Sequence, residues 1–418
     1  MTCVSVVKMD LDIAPRRRGG HGENPKRTLS MTRILVLSEH FLPACGGTIT
    51  WLLQTYRRYE PAEVVVVAGE HRDAQLVDPT LPFKVERIAM SMNEWDPTAP
   101  ASLWRYAGML RHVLRSCRRY RIQQLHCMRV LPEGLIAWCV RLMTGRPYLL
   151  YAHGEEILIG LGSRKLRWLI PRLYNRAAAI IANSRKTKAL LEDMGVRPEN
   201  IHVIHPGVEA TAFRIGHDAG LAIRQRHNLG QSPVLLTVGR LQRWKGQDMV
   251  IQALPRIVKR FPDVKYVIVG TGEDHAFLQR LAGDVEVQDK VIFAGQVVDG
   301  EQAAYYAACD VFIMPNRQIG PDVEGFGMVF LEAGAAGKPV IGGCSGGTGE
   351  AIRDGVTGIR VDGENVEAIA AAVIEILADA DKARAMGEQG RQWVESAFTW
   401  ESIVDRTRQL ALTVARGV

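Results

Sequence analysis

The chain has 418 residues, 47% of them hydrophobic, enough to bury two cores of ordinary domain size rather than one. Its formal charge of +7 is uneven: residues 31–208 carry 24 Lys/Arg against 15 Asp/Glu, and residues 209–418 carry 22 against 27, so the first half is the one suited to an anionic partner. Seven cysteines with no C-x-x-C pair argue against a disulfide framework or zinc site and for a reducing cytoplasm, and no apolar run approaches the roughly 20 residues a spanning helix requires.

Residues 1–30 have the composition of a disordered leader: PRRRGGHGENPK lacks apolar periodicity, and Asp10 and Asp12 interrupt what would otherwise open a signal peptide. The Asp10-x-Asp12 pair has metal-binding spacing but lies in that leader. Met31 directly precedes the first strand, RILVLS, which is followed by EHFLPACGGT and an amphipathic helix over about 49–59. Gly46 and Gly47 stand at that helix start, where a glycine pair serves either a tight turn or a backbone approach to phosphate. The dinucleotide fingerprint G-x-G-x-x-G is absent.

Strands follow at EVVVVA, FKVERIA, QQLHCM, PYLLYA, AAIIA and IHVIH, alternating with helices near 102–119, 133–144, 164–176 and 185–193, the pattern of parallel β/α construction. In the segment 102–121, Leu103, Tyr106, Leu110, Val113, Leu114 and Cys117 form an apolar side, and Arg105, Arg111, Arg115, Arg118 and Arg119 take much of the rest. A second basic segment, 163–176, sets Trp168 and Leu169 beside Arg164, Lys165 and Arg167. Such faces are either solvated surface or contacts for anionic lipid headgroups; no nucleic-acid recognition motif accompanies them. His153 ends the strand PYLLYA. The polar stretch 209–232 is a candidate hinge.

The second half restarts with PVLLTVGR, and Arg240 and Lys245 flank the loop into the next helix, a pair suited to gripping phosphate. After KYVIVG, the GTGEDH turn puts His275 where a third fingerprint glycine would fall, which argues against a nicotinamide site. KVIFAG and DVFIMP are further strands. Helices are expected near 365–379, 383–397 and 400–415.

Between DVFIMP and the strand KPVI lies EGFGMVFLEAGAAG, with Glu324 in a loop at a strand's carboxyl end and Glu332 on the helix that follows. Gly325 and Gly327 bare the backbone around Phe326 at the helix start, an anion-attracting end. A carboxylate at Glu332 can accept hydrogen bonds from a vicinal diol. The glycine-rich loop 342–350 faces the same crevice.

The combination of VGRL with Arg240, KG with Lys245, the E-x7-E pair and the Gly346–Gly347 loop resembles the family 4 retaining glycosyltransferases over about residues 31–415, most closely the phosphatidylinositol mannosyltransferase branch. The resemblance implies an α/β GT-B fold, two Rossmann-like domains facing across a cleft: residues 31–208 on the acceptor side, a linker at 209–232, a nucleotide-sugar domain at 233–398, and a helix at 399–418 packing back on the first domain. It implies Arg240 and Lys245 on the diphosphate, Glu332 on the ribose, and Glu324 with the Phe326 and Gly327 backbone on the donor sugar. His153 would also contact that sugar, and Gly46 and Gly47 would touch phosphate from the opposite domain. The implied reaction moves a hexose from GDP-mannose or a UDP-sugar to a lipid-linked or glycan acceptor, without metal or cofactor, in the cytoplasm or on the inner face of the membrane. A sugar-nucleotide epimerase, a glycan phosphorylase and a non-catalytic sugar-nucleotide-binding protein are the alternatives.

Overall fold

The computed structural model describes residues 32–90, 100–297 and 300–416; the leader at 1–30, with Asp10 and Asp12, lies outside the described residues. The first half runs β1 (Ile34–Ser38), α1 (Gly47–Tyr56), β2 (Val64–Gly69), β3 (Lys84–Ile88), α2 (Pro100–Arg119), β4 (Gln124–Cys127), α3 (Leu135–Thr144), β5 (Tyr148–Ala152), α4 (Glu155–Leu161), α5 (Arg164–Arg176), β6 (Ala179–Ala182), α6 (Arg185–Asp193) and β7 (Ile201–Val203). Its strands form one parallel sheet in the order β3-β2-β1-β4-β5-β6-β7.

The second half runs α7 (His217–Arg226), β8 (Val234–Val238), α8 (Gln247–Arg260), β9 (Lys265–Val269), α9 (His275–Asp284), β10 (Val291–Gly295), α10 (Gln302–Ala308), β11 (Val311–Met314), α11 (Met328–Ala335), β12 (Val340–Gly343), β13 (Gly358–Val361), α12 (Val366–Ala378), α13 (Ala380–Ala397) and α14 (Trp400–Arg416). Its sheet is parallel in the order β10-β9-β8-β11-β12-β13.

Helices cover both faces of each sheet, which is why the strands are unbroken apolar runs. Along β1, Leu35 and Leu37 enter one core with Val113, Leu125 and Cys127, while Ile34 and Val36 enter the other with Trp51, Leu52 and Leu149. That second core also holds Trp400, Ile403 and Val404 of α14, so the chain's last helix is built into the first domain. Arg58 pairs there with Glu401, and Arg408 donates to the Arg58 carbonyl.

The sequence expectations need three corrections. Residues 209–232 are not a polar loop: α7 packs on α10, and Ile223 and Leu229 are buried in the second domain's core. Ile223 and Leu229 face inward while Leu221 on α7 is 37% exposed, so the polar majority hid the helix. Leu103 is 57% exposed rather than part of the apolar stripe on α2, which begins at Tyr106. The elements α4, α9 and β13 had no counterpart in the sequence reading. Cys117, Cys127, Cys139, Cys309 and Cys344 are free thiols.

In each sheet the order reverses at one strand, between β1 and β4 and between β8 and β11. Parallel sheets bind ligands outside the carboxyl ends of the strands at such reversals.

Candidate functional site

The loops leaving β8 and β11 are locked together. Gly246 has φ 83°, and a Cβ there would strike the Pro315 carbonyl just past β11, so only glycine permits the approach. This turn delivers Lys245, whose Nζ lies 2.5 Å from Glu324 Oε2 and 4.0 Å from the Trp244 ring centre. Arg240, on the same loop, is exposed; among the described residues its guanidinium makes no hydrogen bond or ion pair, while its carbonyl accepts from Gln247 Nε2 at 2.9 Å. Arg317 is unavailable for a ligand, because it forms two hydrogen bonds with the buried Asp248 at 2.7 and 2.9 Å.

Two helix starts meet across the cleft. Gly327, at φ 89°, turns the chain into α11, and Gly46 precedes α1. A Cβ on Gly47 would lie 3.5 Å from Met328 Sδ, so the amino ends of α1 and α11 face one another at close range. Each carries the positive end of a helix dipole and unpaired N–H groups, and the gap between them favours an anion.

The domains also touch beside Glu324. A Cβ at Gly325 would run into the His153 carbonyl and Asn183 Nδ2, and one at Gly347 would lie 2.9 Å from Ser184 Cβ. Glu350 reaches over to accept from the Arg185 N–H at 2.6 Å at the start of α6. Its other oxygen is 3.4 Å from His205 Nε2, and the His205 ring stacks on Phe326 at 5.1 Å. His153 donates through Nε2 to the Met128 carbonyl at 2.8 Å, which directs Nδ1 elsewhere. Burial lowers its pKa, so the imidazole is neutral and Nδ1 is an acceptor.

Glu332, half-buried in the second turn of α11, takes hydrogen bonds from Tyr306 Oη at 2.7 Å and Gln302 Nε2 at 2.6 Å. On the first domain, beside His153, a pocket is bounded by Thr48, Arg129, Leu131, Ile159 and Ile170. Exposed apolar side chains lie on the helices of the same domain: Trp104 (82%) on α2, Ile159 (45%) on α4 and Trp168 (60%) on α5, with Arg172 stacked 4.0 Å over the Trp168 ring. No helix among the described residues is long and apolar enough to cross a membrane, and no group of three or more His, Cys, Asp or Glu there is arranged to hold a metal.

Of the residues singled out for the site, Gly46, Gly47, His153, Arg240, Lys245, Glu324, Phe326 and Gly327 sit on loops or helix starts at the carboxyl ends of the strands, and Glu332 sits one turn into α11. Phe326 is 3% exposed, so only its backbone is available to a ligand. Of the five glycines in 342–350, Gly346 and Gly347 border the crevice against the Glu324 and Gly325 carbonyls; Gly342, Gly343 and Gly349 pack against Ile352, Asn316 and Arg360 instead. Glu350, His205, Asn183, Gln302, Tyr306 and the fully buried Glu133, whose burial raises its pKa to about 8, were not singled out. Only the placement of Glu350 directly after the glycine loop offered a sequence signal.

Two family models match the chain: "Glycosyltransferase Family 4" over residues 46–212 and "Glycosyl transferases group 1" over residues 221–393. The GDP-mannose-dependent alpha-(1-6)-phosphatidylinositol monomannoside mannosyltransferase of Mycolicibacterium smegmatis is 32% identical over 386 residues, 90% of this chain and 97% of that protein. The D-inositol 3-phosphate glycosyltransferase of Rhodococcus erythropolis is 29% identical over 406 residues, 89% of each chain. Among solved structures, Anabaena Alr3699/HepE in complex with UDP superposes with a TM-score of 0.79 at 20% identity, over 91% of this chain and all of that one. WaaG, a glycosyltransferase involved in lipopolysaccharide biosynthesis, gives 0.66 at 18% identity, over 89% and 98%.

Proposed function

This chain belongs to glycosyltransferase family 4 and is a nucleotide-sugar-dependent glycosyltransferase of GT-B fold, and from that premise we propose that it transfers mannose from GDP-mannose to a phosphatidylinositol-mannoside type of glycolipid, with retention and without a metal. The observation that carries this reading is the Lys245–Glu324 pair beside two opposed helix amino ends in the cleft. The relatives' names support the choice of donor and acceptor.

As the bond from the anomeric carbon to the diphosphate breaks, negative charge grows on the phosphate oxygens. Arg240, Lys245 and the amino ends of α1 and α11 stabilise it, so the protein supplies the positive charge from its own groups. Glu324 orients the sugar and offsets positive charge at the anomeric carbon. The neutral His153, through Nδ1, accepts from a sugar hydroxyl. The acceptor hydroxyl attacks from the face the phosphate leaves, its oxygen bonds to the anomeric carbon, and its proton passes to a departing phosphate oxygen.

The pocket beside His153 takes the acceptor, with Arg129 for its anionic group and Leu131, Ile159 and Ile170 for apolar parts. Trp104, Trp168 and the arginines of α2 and α5 contact an anionic membrane surface that presents it. A melting-temperature screen of sugar nucleotides tests the donor. GDP-mannose is expected to raise the melting temperature most, and release of nucleoside diphosphate that requires added glycolipid separates transfer from epimerisation and from binding alone.

A further inference from the structure

The Glu332 carboxyl is held at one oxygen. Tyr306 Oη and Gln302 Nε2 both donate to Oε2, from positions one turn apart on α10. Among the described residues Oε1 makes no hydrogen bond. Tyr306 is wedged between Phe213 and Phe312, each ring 5.5 Å away, and is fully buried, so its hydroxyl is a fixed donor.

Resting on the donor-site reading above, we propose that Tyr306 and Gln302 are positioning residues for donor recognition: they saturate Oε2 of Glu332, leave Oε1 to accept from the ribose vicinal diol, and so make donor binding require the ionised carboxylate. With Oε2 facing two donors, a proton on Glu332 resides on Oε1 and turns the diol acceptor into a donor. Donor binding therefore expels that proton.

Enclosure of the carboxyl raises its pKa to about 7, with the Tyr306 hydroxyl opposing the rise. The sign follows: unliganded Glu332 is protonated below about pH 7, the diol selects the ionised form, and donor affinity weakens as pH falls through that value and levels off above it. The charged groups on the elements around α11 are each engaged elsewhere. On α10, Tyr306 faces the carboxyl, and just before it Glu301 pairs with Arg226 at 2.8 Å. On α13, Arg391 pairs with Glu388 at 3.3 Å and Glu395 pairs with Arg214. Glu350, in the short turn after the glycine loop, is occupied across the cleft.

The test is calorimetric binding of GDP-mannose and UDP-glucose, and of their 2′-deoxyribose counterparts, between pH 5.5 and 8.5. Their diphosphate diesters do not titrate in this range. Wild-type protein is expected to bind a ribose form with affinity falling roughly tenfold per pH unit below the midpoint, whereas the deoxyribose form binds weakly with little pH dependence. Tyr306→Phe removes a donor that favours the ionised form, so its midpoint moves to higher pH while kcat at saturating donor holds; Gln302→Met should move it the same way if Tyr306→Phe does not fold. Glu332→Gln should flatten the profile. Folded variants with an unmoved midpoint, or pH-independent binding of the ribose form, would overturn this proposal and leave the donor site standing. Failure of both sugar nucleotides to bind wild-type protein at any pH would overturn both.

Discussion

Lys245 and Glu324, 79 positions apart, form a 2.5 Å ion pair in the cleft, each side chain only 12–13% exposed. The cation assigned to the diphosphate and the carboxylate assigned to the sugar thus neutralise one another before donor arrives. Glu324 holds Lys245 extended toward the cleft, and the two are energetically coupled.

Glu324→Gln is therefore expected to separate binding from turnover. Loss of one contact to developing charge lowers kcat about 10²–10³-fold. Lys245, released from its carboxylate, is left to the phosphates, so nucleoside diphosphate affinity should stay level or tighten. Calorimetry beside steady-state kinetics checks both parts; a fall in affinity with kcat unchanged would contradict them.

Among the described residues the Arg240 guanidinium has no competing partner, so Arg240→Ala loses only what the ligand supplies. A charge-assisted hydrogen bond is worth about 1.5–3 kcal/mol, and nucleotide affinity should fall roughly 10–150-fold. The melting temperature without nucleotide should not move, whereas a structural role for the guanidinium would lower it.

Gly325→Ala places a methyl group against the His153 carbonyl and Asn183 Nδ2 of the opposite domain. The obstruction lies between domains rather than within one, so stability should hold while the reacting groups are pushed apart. A misplacement of about 1 Å can cost on the order of 10²-fold in rate. A fall in kcat with an unchanged melting temperature is expected; near-normal turnover would show that this contact is not made during reaction.

Replacing Trp104 and Trp168 together by Ser should weaken sedimentation with phosphatidylglycerol-rich vesicles and leave glycosylation of a water-soluble acceptor analogue intact. Added salt should weaken wild-type binding, since screening shortens to about 3 Å at 1 M. Equal binding to neutral vesicles at low salt would argue against an electrostatic surface.

The sheets were legible because buried parallel strands leave continuous apolar runs such as ILVL and VVVV, and the helices Arg164–Arg176 and Arg185–Asp193 fall on the residues their periodicity indicated. The E-x7-E spacing and its glycines located the cleft. Local sequence could not show which groups meet from distant positions: the Lys245–Glu324 pair, the Glu350 contact with the start of α6, or Tyr306 turning its hydroxyl onto Glu332 from an alanine-rich helix. The helix at His217–Arg226 was missed because Ile223 carries most of its inward face among charged neighbours.

Transfer is read most directly by mass spectrometry of a phosphatidylinositol-mannoside acceptor after incubation with purified protein and GDP-mannose. Product heavier by one hexose is expected, in step with GDP released, with nearly all of it lost in Glu324→Gln. Acceptor that stays unmodified with every sugar nucleotide tried, or product formed undiminished by a folded Glu324→Gln variant, would contradict the proposed transfer.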